Sequence, residues 1–267
     1  MTVQTTVAAP PRQSALSLRD RDRILSIASP IGLLLIWEIA ARTGLIDTRF
    51  FPAPSSILAL LIEMLRSGEL LLHTAASLRR LAFGIVIGGI PALVLGIVMG
   101  LNRTIRALVD PIIAATYPIP KSSILPLALL VFGLGEGSKI FMVAIGVFFP
   151  VAINATTGVL EINKIYLDVG RNYKASRWSM FWTIALPGAL PVIMTGFKLG
   201  IGIGLILIAI AEMIGAKSGL GFLIWSAWET FAVEQMYVGL FMIALIGFVL
   251  TVALNELERF IIPWKAS

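Results

Sequence analysis

The sequence predicts an all-α, polytopic membrane protein, and its composition and hydropathy pattern carry that prediction. Hydrophobic residues make up 58% of the 267 residues and charged residues only 13%, and the mean hydropathy is +0.93. Soluble domains are closer to half apolar and about a quarter charged. Several windows of about 18 residues or more carry almost no charge, which is the length that a helix needs to cross a bilayer.

The residue types that are missing exclude several classes of function. The chain has no Cys and only one His, His73, so we expect no disulfide, no Cys nucleophile and no metal site. The dipeptide Gly-Lys does not occur, so the chain lacks the phosphate-binding loop of ATPases. We therefore expect no cofactor bound by this chain, and any ATP and Mg²⁺ to be bound by a partner ATPase.

The net charge of +6 fits membrane orientation better than nucleic-acid binding. Cytoplasmic loops of membrane proteins are rich in Lys and Arg. With the N-terminus inside, twelve of the 21 Lys and Arg lie in the tail, the 102–110 and 161–183 loops and the C-terminal end. We therefore expect a multi-pass protein of a bacterial inner membrane with both termini in the cytoplasm.

The chain divides into a polar cytoplasmic tail, 1–23, and a membrane domain, 24–267. The tail is expected to be disordered because it is polar and contains Pro10-Pro11. A short amphipathic helix on the outer surface is predicted at 50–67. About six spans are predicted, at 24–42, 81–101, 111–133, 139–160, 184–212 and 236–262.

Glycine spacing predicts close helix contacts in two of these spans. Small residues four apart place a narrow strip on one face of a helix, which allows another helix to approach closely. The glycines are Gly84, Gly88, Gly96 and Gly100 in the second span and Gly196, Gly200 and Gly204 in the fifth.

Four polar residues inside the spans are candidates for the wall of a pathway. They are Lys121, Asn154, Lys198 and Glu212. Prolines interrupt the third span around Lys121, and free backbone groups at membrane depth are tolerated only against protein or water. The two lysines leave two interpretations open. They attract an anion, or they pair structurally, for example with Glu212, with a partner helix or with carbonyls freed by the prolines.

The long polar interruption at 164–191 is basic and has helical character. From charge alone it is either a solvated connector or a docking surface. Ser176 is placed to cap a second short helix at 177–182, and aromatic and Arg side chains, which this loop presents, are enriched at protein interfaces. One face of the preceding helix would carry Ile165, Tyr166, Val169 and Tyr173.

This loop also carries a recognisable spacing, Asp168-Val169-Gly170, then Lys174, then Ile184-Ala185-Leu186-Pro187. The spacing resembles the EAA loop of bacterial ABC importer permeases, which reads Glu-Ala-Ala, then Gly, then Ile-x-Leu-Pro. Segments such as FFPAPSSIL, YPIPKSSILPLALLVFG and AEMIGAKSGLGFLI extend the resemblance over most of the chain. They are similar to the subgroup that handles nitrate, taurine and aliphatic sulfonates.

The resemblance implies a type I ABC importer permease fold without enzymatic activity of its own. It implies a homodimer in the lipid bilayer, two ABC ATPase subunits, and a periplasmic or lipid-anchored substrate-binding protein, but no nucleic acid. A small anionic solute would cross by alternating access. The implied ATPase-docking residues are Asp168, Gly170, Arg171, Lys174, Ala175, Ser176, Arg177, Trp178 and Pro187.

Lys174 departs from the family pattern, in which Gly stands at this position. If the family Gly adopts a left-handed turn between two helices, Lys would cost roughly 1 kcal/mol there. Either the turn has another geometry in this chain or the cost is accepted.

Two functions of other classes are weighed against the importer. A secondary transporter or channel, driven by ion gradients without an ATPase, would explain charged residues in spans but gives the basic loop and its Ile-x-Leu-Pro exit no role. A membrane-embedded enzyme has no visible catalytic constellation, because Glu38 and Glu212 lie on different spans. Glu38 is instead expected to form a local ion pair with Arg42, four residues on.

Overall fold

The computed structural model describes residues 15–264, without the side chains of residues 15–21, 23, 24, 26, 27, 164, 167, 171 and 177. Every regular element in this part of the chain is helical, which confirms the predicted fold class. The α-helices are α1 (Ala15–Arg42), α2 (Pro54–Arg66), α3 (Glu69–Leu101), α4 (Arg103–Thr116), α5 (Leu125–Phe132), α6 (Glu136–Leu160), α7 (Lys164–Asn172), α8 (Arg177–Met180), α9 (Leu186–Met213), α10 (Leu220–Glu229) and α11 (Val233–Ile261).

The chain forms two compact units, and the boundary between Ala59 and Leu60 falls within α2. In the first unit, the Glu38 carboxylate accepts hydrogen bonds from Arg42 and from the backbone N–H of Ser55, the latter at 3.0 Å. The predicted ion pair between Glu38 and Arg42 is therefore confirmed. Residues 1–14 of the predicted tail lie outside the described residues, and α1 already includes the end of that tail.

Among the described residues, four helical segments are long and apolar enough to cross a membrane. They are α3, α6, α11 and the continuous run Trp178–Met213 that ends with α9. A fifth candidate is the pair α4 and Lys121–Phe132, which is bent by 89°. The predicted span at 24–42 falls within α1, where several side chains are undescribed, so the count of six stays a prediction.

Two predicted boundaries around the membrane helices are wrong. Residues 102–110 are not a loop, because α4 begins at Arg103 and the Asn102 side chain caps it by accepting from the N–H groups of Thr104 and Ile105 at 2.9 and 3.2 Å. The helix that contains the second span is longer than the predicted 81–101, because α3 begins at Glu69, and its first turns bury the polar side chains of His73, Ser77 and Arg80.

The core of the second unit is α6, which packs against the glycine faces of α3 and α9. A Cβ atom added to Gly88 would lie 2.2 Å from the carbonyl oxygen of Ala144, and one at Gly196 would lie 2.9 Å from that of Pro150. Both helices therefore approach the α6 backbone more closely than any side chain allows. The close contacts predicted from glycine spacing are confirmed, and α6 is the common partner.

A π-helical segment, Phe181–Ala185, leads into α9. The Leu186 N–H donates to the Phe181 carbonyl, five residues back. Pro187 follows directly, and a proline ring clashes with the carbonyl four residues before it in a regular α-helix. A wider turn relieves that clash, so the proline explains the local π geometry.

Candidate functional site

The turn between α7 and α8 is a helix C-cap of the Schellman type. The Ala175 N–H donates to the Gly170 carbonyl at 3.0 Å, and the Tyr173 N–H donates to the Val169 carbonyl at 3.1 Å. Lys174 lies between them with a φ of 53°, the left-handed conformation that such a cap requires and that favours Gly. Of the two alternatives that the sequence left open, the turn therefore has the left-handed geometry, and Lys174 carries the conformational cost.

Replacing Lys174 with Gly is expected to stabilise this turn by about 1 kcal/mol, because Gly has no Cβ penalty in the left-handed region. The amide of Ala175 should then exchange with solvent roughly fivefold more slowly, measured by hydrogen exchange on the purified protein. Ala175→Gly is the matched control and should not slow exchange in the neighbouring amides. Equal or faster exchange in Lys174→Gly would contradict the assigned cap.

The α7–α8 segment exposes aromatic side chains. Tyr173 is 84% exposed and Trp178 is 71% exposed, and the Trp178 ring lies 5.5 Å from that of Trp182 in an edge-on arrangement. The Ser176 hydroxyl accepts from the Ser179 N–H at 3.1 Å, so the predicted cap of the second helix is confirmed. Asp168 and Lys174 are also exposed, whereas the side chains of Arg171 and Arg177 lie outside the described residues.

Gly170 of α7 packs against the segment that enters the membrane helix α9. It is buried, and an added Cβ would lie 2.6 Å from the Met180 sulfur and 2.7 Å from the Ile184 Cδ1 atom. The α7 backbone therefore packs directly on the segment that enters α9, in which Pro187 is half-buried.

Lys121 lies at the bend between α4 and α5. Its ammonium donates to the carbonyls of Thr116, Tyr117 and Ile119 at 3.0, 2.9 and 3.1 Å and lies 4.0 Å from the centre of the Phe149 ring. A lysine ammonium has three N–H donors, and all three find backbone carbonyls here. Of the two open interpretations, this geometry favours the capping of freed carbonyls.

The other pathway candidates, Lys198, Asn154 and Glu212, lie in different surroundings, and Glu212 is buried among other charged groups. Lys198 forms an ion pair with Glu258 of α11 and not with Glu212. Asn154 is half-buried on α6, donates to the Pro150 carbonyl at 2.8 Å and packs against Gly196. The structure therefore does not bring these candidates together into one site.

Glu212 is the centre of a buried ionic cluster at the outer ends of the helices, as the predicted orientation places them. Its carboxylate is fully buried and accepts from Arg80 at 2.7 Å, from the Ser77 hydroxyl at 2.7 Å and from the Gly221 N–H at 3.0 Å. Arg80, which is 2% exposed, also donates to both oxygens of Glu136 at 2.8 and 2.6 Å. The cluster ties α3, α6, α9 and α10 together.

The same cluster holds the segment between α9 and α10. The Gly219 N–H donates to His73 Nδ1 at 3.1 Å, and Arg80 donates to the Ser218 carbonyl at 2.6 Å. The buried ammonium of Lys139 donates to the carbonyls of Leu134 and Gly215. His73 is thus a structural hydrogen-bonding residue.

Arg80, Glu136 and Lys139 were not among the predicted site residues. In the sequence, all three are charged residues that stand at the start of an apolar run: Arg80 before the second span, and Glu136 and Lys139 at the start of the fourth. Among the described residues, no three His, Asp or Glu side chains lie close enough together to hold a metal ion.

The comparisons with known proteins agree on one family. A model described as "Binding-protein-dependent transport system inner membrane component" matches residues 92–266. The taurine transport system permease protein TauC of Escherichia coli (strain K12) is 38% identical over 255 residues, covering 92% of each chain. The putative aliphatic sulfonates transport permease protein SsuC of the same strain is 35% identical and covers 89% of this chain and 90% of its own.

A more distant relative and a solved structure are also similar to this chain. The bicarbonate transport system permease protein CmpB of Synechococcus elongatus is 32% identical, over 90% of this chain and 89% of its own. A chain from a structure of the MetNI methionine ABC transporter matches with a TM-score of 0.52 and 21% identity, covering 70% of this chain and 91% of that one. This last likeness supports the fold alone.

Proposed function

Because this chain belongs to the family of binding-protein-dependent transport system inner membrane components, and is thus the permease subunit of an ABC importer, we propose that two copies of it form a pathway for a small sulfonate such as taurine. The relatives named for taurine and aliphatic sulfonates, at 38% and 35% identity, support that solute class. The relative named for bicarbonate is also named for an anion. No finding supports a secondary transporter or channel.

The proposal assigns ATPase docking to the α7–α8 segment, with both termini and this loop in the cytoplasm. The observation that carries it is the exposed aromatic surface around Tyr173 and Trp178, which no other described element covers. Large exposed aromatic side chains are typical of protein interfaces. Two ATPase subunits would bind ATP and Mg²⁺, dock here and supply the driving force.

The inferred mechanism is alternating access. ATP-driven closure of the two ATPases would draw the two α7–α8 segments together. The contact of Gly170 with Met180 and Ile184 would pass that motion into α9, which packs on α6. A separate binding protein would deliver the solute at the outer surface. The permease subunit itself carries out no bond chemistry in this scheme.

Site-directed crosslinking tests the docking assignment, and the absence of native Cys makes it clean. Ala175→Cys and Ser179→Cys are expected to crosslink to a co-expressed ATPase subunit, detected as a shifted band. Thr104→Cys, exposed at the start of α4, is the matched control and should crosslink much less. If Thr104→Cys crosslinks and neither loop cysteine does, the docking assignment is wrong.

A reporter fusion tests the orientation. A reporter inserted near residue 167 is expected to respond as cytoplasmic, because the basic loop should lie on the inner side. An external response would overturn the proposed topology and, with it, the position of the ATPases.

A further inference from the structure

The turn between α10 and α11 holds an aromatic residue in a strained backbone conformation. Phe231 has a φ of 57°, and its N–H donates to the Trp228 carbonyl at 3.1 Å. The Ala232 N–H donates to the Ala227 carbonyl at 2.8 Å. These two bonds define a Schellman cap with Phe231 at its left-handed position, where Gly is favoured. The stability of the fold would therefore be better served by Gly than by Phe at this position.

The side chain of Phe231 gains no packing in return for this strain, because it is 83% exposed. Trp228, at the end of α10, is 52% exposed, and its ring lies 4.8 Å from that of Trp225. Among the described residues, the other non-glycine residue with a positive φ is Lys174, which lies on the surface proposed for ATPase docking. Backbone strain of this kind is concentrated at functional sites, and exposed aromatic side chains are typical of protein interfaces.

The length of α3 shows where this turn stands relative to the membrane. The stretch from Leu81 to Leu101 is uncharged and has about the 20 residues that cross a bilayer. Arg79, whose side chain is 61% exposed, marks the outer end of that stretch, because an exposed charge at membrane depth is costly. Glu69 lies ten residues before Arg79, and this length of α-helix extends about 15 Å.

The start of α11 lies at the same level as the start of α3, because the Gln235 amide donates to the Glu69 carboxylate at 3.2 Å. The headgroup region on one side of a bilayer is only about 5–8 Å thick. The turn with Phe231, four residues before Gln235, therefore stands beyond the headgroups. Aromatic side chains that anchor a helix in the membrane interface lie closer to the hydrocarbon core, so anchoring does not account for Phe231.

Other apolar side chains of this protruding part are exposed too. Leu71 and Leu72 lie between the levels of Glu69 and Arg79 along α3, and both are more than half exposed. Apolar side chains that are exposed outside the membrane indicate a surface that another protein covers.

The charges beside Phe231 are negative and indicate what kind of protein fits. Glu229 and Glu234, both exposed, stand two residues before and three residues after it, and Glu69 adjoins the start of α11. The chain has no Lys or Arg from residue 218 to residue 258. In a symmetric contact between two copies the same patch faces itself, so carboxylates would meet carboxylates. A different protein, with Lys or Arg around an apolar contact, fits this surface better.

We propose that Trp228, Phe231 and Glu234, here called the outer turn surface, form the docking site of the substrate-binding protein, which rests on the proposed function and its orientation. That protein is the soluble partner that the proposed function requires on the outer side. The two rings would enter an apolar depression of the partner, and Glu234 would pair with a basic residue at its edge. The cap holds the Phe231 backbone in place before the partner arrives, which lowers the entropy cost of binding.

Replacing Phe231 with Gly separates stability from docking. Because Gly carries no Cβ penalty in the left-handed region, the variant should assemble with its ATPase and unfold at a temperature about 2–4 °C higher in detergent. Without the ring, it should need about tenfold more binding protein for half-maximal ATP hydrolysis in proteoliposomes. The probe is a purified, taurine-loaded binding protein.

Phe260 provides the matched control, because it is 84% exposed but lies at the opposite end of α11. Phe260→Ala should leave the half-saturating concentration of binding protein unchanged. Trp228→Ala should raise that concentration by about tenfold. Glu234→Lys should raise it by about threefold, most strongly at low salt, because a charge at the edge of an interface acts through screened attraction.

Crosslinking tests the same site directly. Thr230→Cys, which is exposed in the turn and would carry a photoreactive group, should crosslink to the added binding protein. The yield should fall when Phe231→Gly is combined with it. Thr104→Cys, at the inner start of α4, is the control and should not crosslink to this partner.

The outcomes separate the docking site from the proposed function. If Phe231→Gly and Trp228→Ala both need no more binding protein than the unmodified complex, the docking site is wrong while the permease assignment stands. If Phe231→Gly unfolds at a lower temperature and inserts poorly into membranes, the ring is a membrane anchor and the site is wrong. If it changes the number of permease copies in the complex, the surface belongs to a second copy. If the binding protein does not stimulate ATP hydrolysis even by the unmodified complex, the proposed function is wrong and the docking site with it.

Discussion

Replacing Arg80 with Ala is expected to lower the free energy of unfolding by about 3–5 kcal/mol, because it removes the cation from a buried ion pair and leaves the opposite charge without compensation. The Glu212 carboxylate, 0% exposed, would keep only the Ser77 hydroxyl and the Gly221 N–H as donors. Glu136 would also lose its two-point contact. We expect little folded protein to be recovered from membranes at physiological temperature.

Arg79 provides a matched control for this prediction. It neighbours Arg80 in the chain and contacts the same Glu136, at 3.3 Å, but its side chain is 61% exposed. Exposed ion pairs contribute roughly 0–1 kcal/mol, so Arg79→Ala should unfold nearly like the unmodified protein. The measurement is denaturant or thermal unfolding in detergent, and equal losses for the two variants would contradict the buried cluster.

A double substitution separates the energy of the pair from the energy of an orphaned charge. Replacing both partners of a buried ion pair with apolar residues is often far less harmful than replacing one. Arg80→Met combined with Glu212→Leu should therefore be more stable than Arg80→Met alone. If the double variant is less stable than Arg80→Met alone, the ion pair itself supplies the stability. The loss in Arg80→Met would then not come from the uncompensated charge of Glu212.

This cluster also shows what a single sequence cannot predict. Arg80 and Glu212 are 132 positions apart in the chain, and no local pattern connects them. Lys198 was paired with Glu212 as an example in the sequence interpretation, but its partner is Glu258. Partner choice among a few buried charges depends on which helices are neighbours, and that is a property of the whole fold.

Features that depend on nearby residues were predictable. The Ser176 cap and the glycine faces follow from local backbone geometry, which the sequence encodes within a few positions. The turn at Lys174 was left open between two geometries, because the left-handed one was inferred from the Gly that the family has at this position and Lys itself disfavours it. The start of α4 was missed although its signal was local, because the basic residues after Asn102 were interpreted as a loop. The identity of α6 as the common partner of both glycine faces required the structure.

Replacing Gly88 with Ala is the second substitution with a large expected effect. The new Cβ would meet the carbonyl oxygen of Ala144 at 2.2 Å and the Cα atom of that residue at 2.7 Å. These are backbone atoms of α6, so no side-chain rotation relieves the overlap and the two helices must separate. Overpacking of a well-packed core costs about 1–3 kcal/mol, occasionally more, measured by thermal unfolding in detergent.

Gly202 is the matched control, because it is also a helical glycine but has open space where its Cβ would lie. Ala is favoured over Gly in a helix by about 1 kcal/mol, so Gly202→Ala should leave stability unchanged or raise it. The difference between the two variants isolates the interhelical overlap from helix propensity. Since α6 also packs on the glycine face of α9, displacing α6 at Gly88 should disturb both interfaces. Equal stability of the Gly88→Ala and Gly202→Ala variants would contradict the central position of α6.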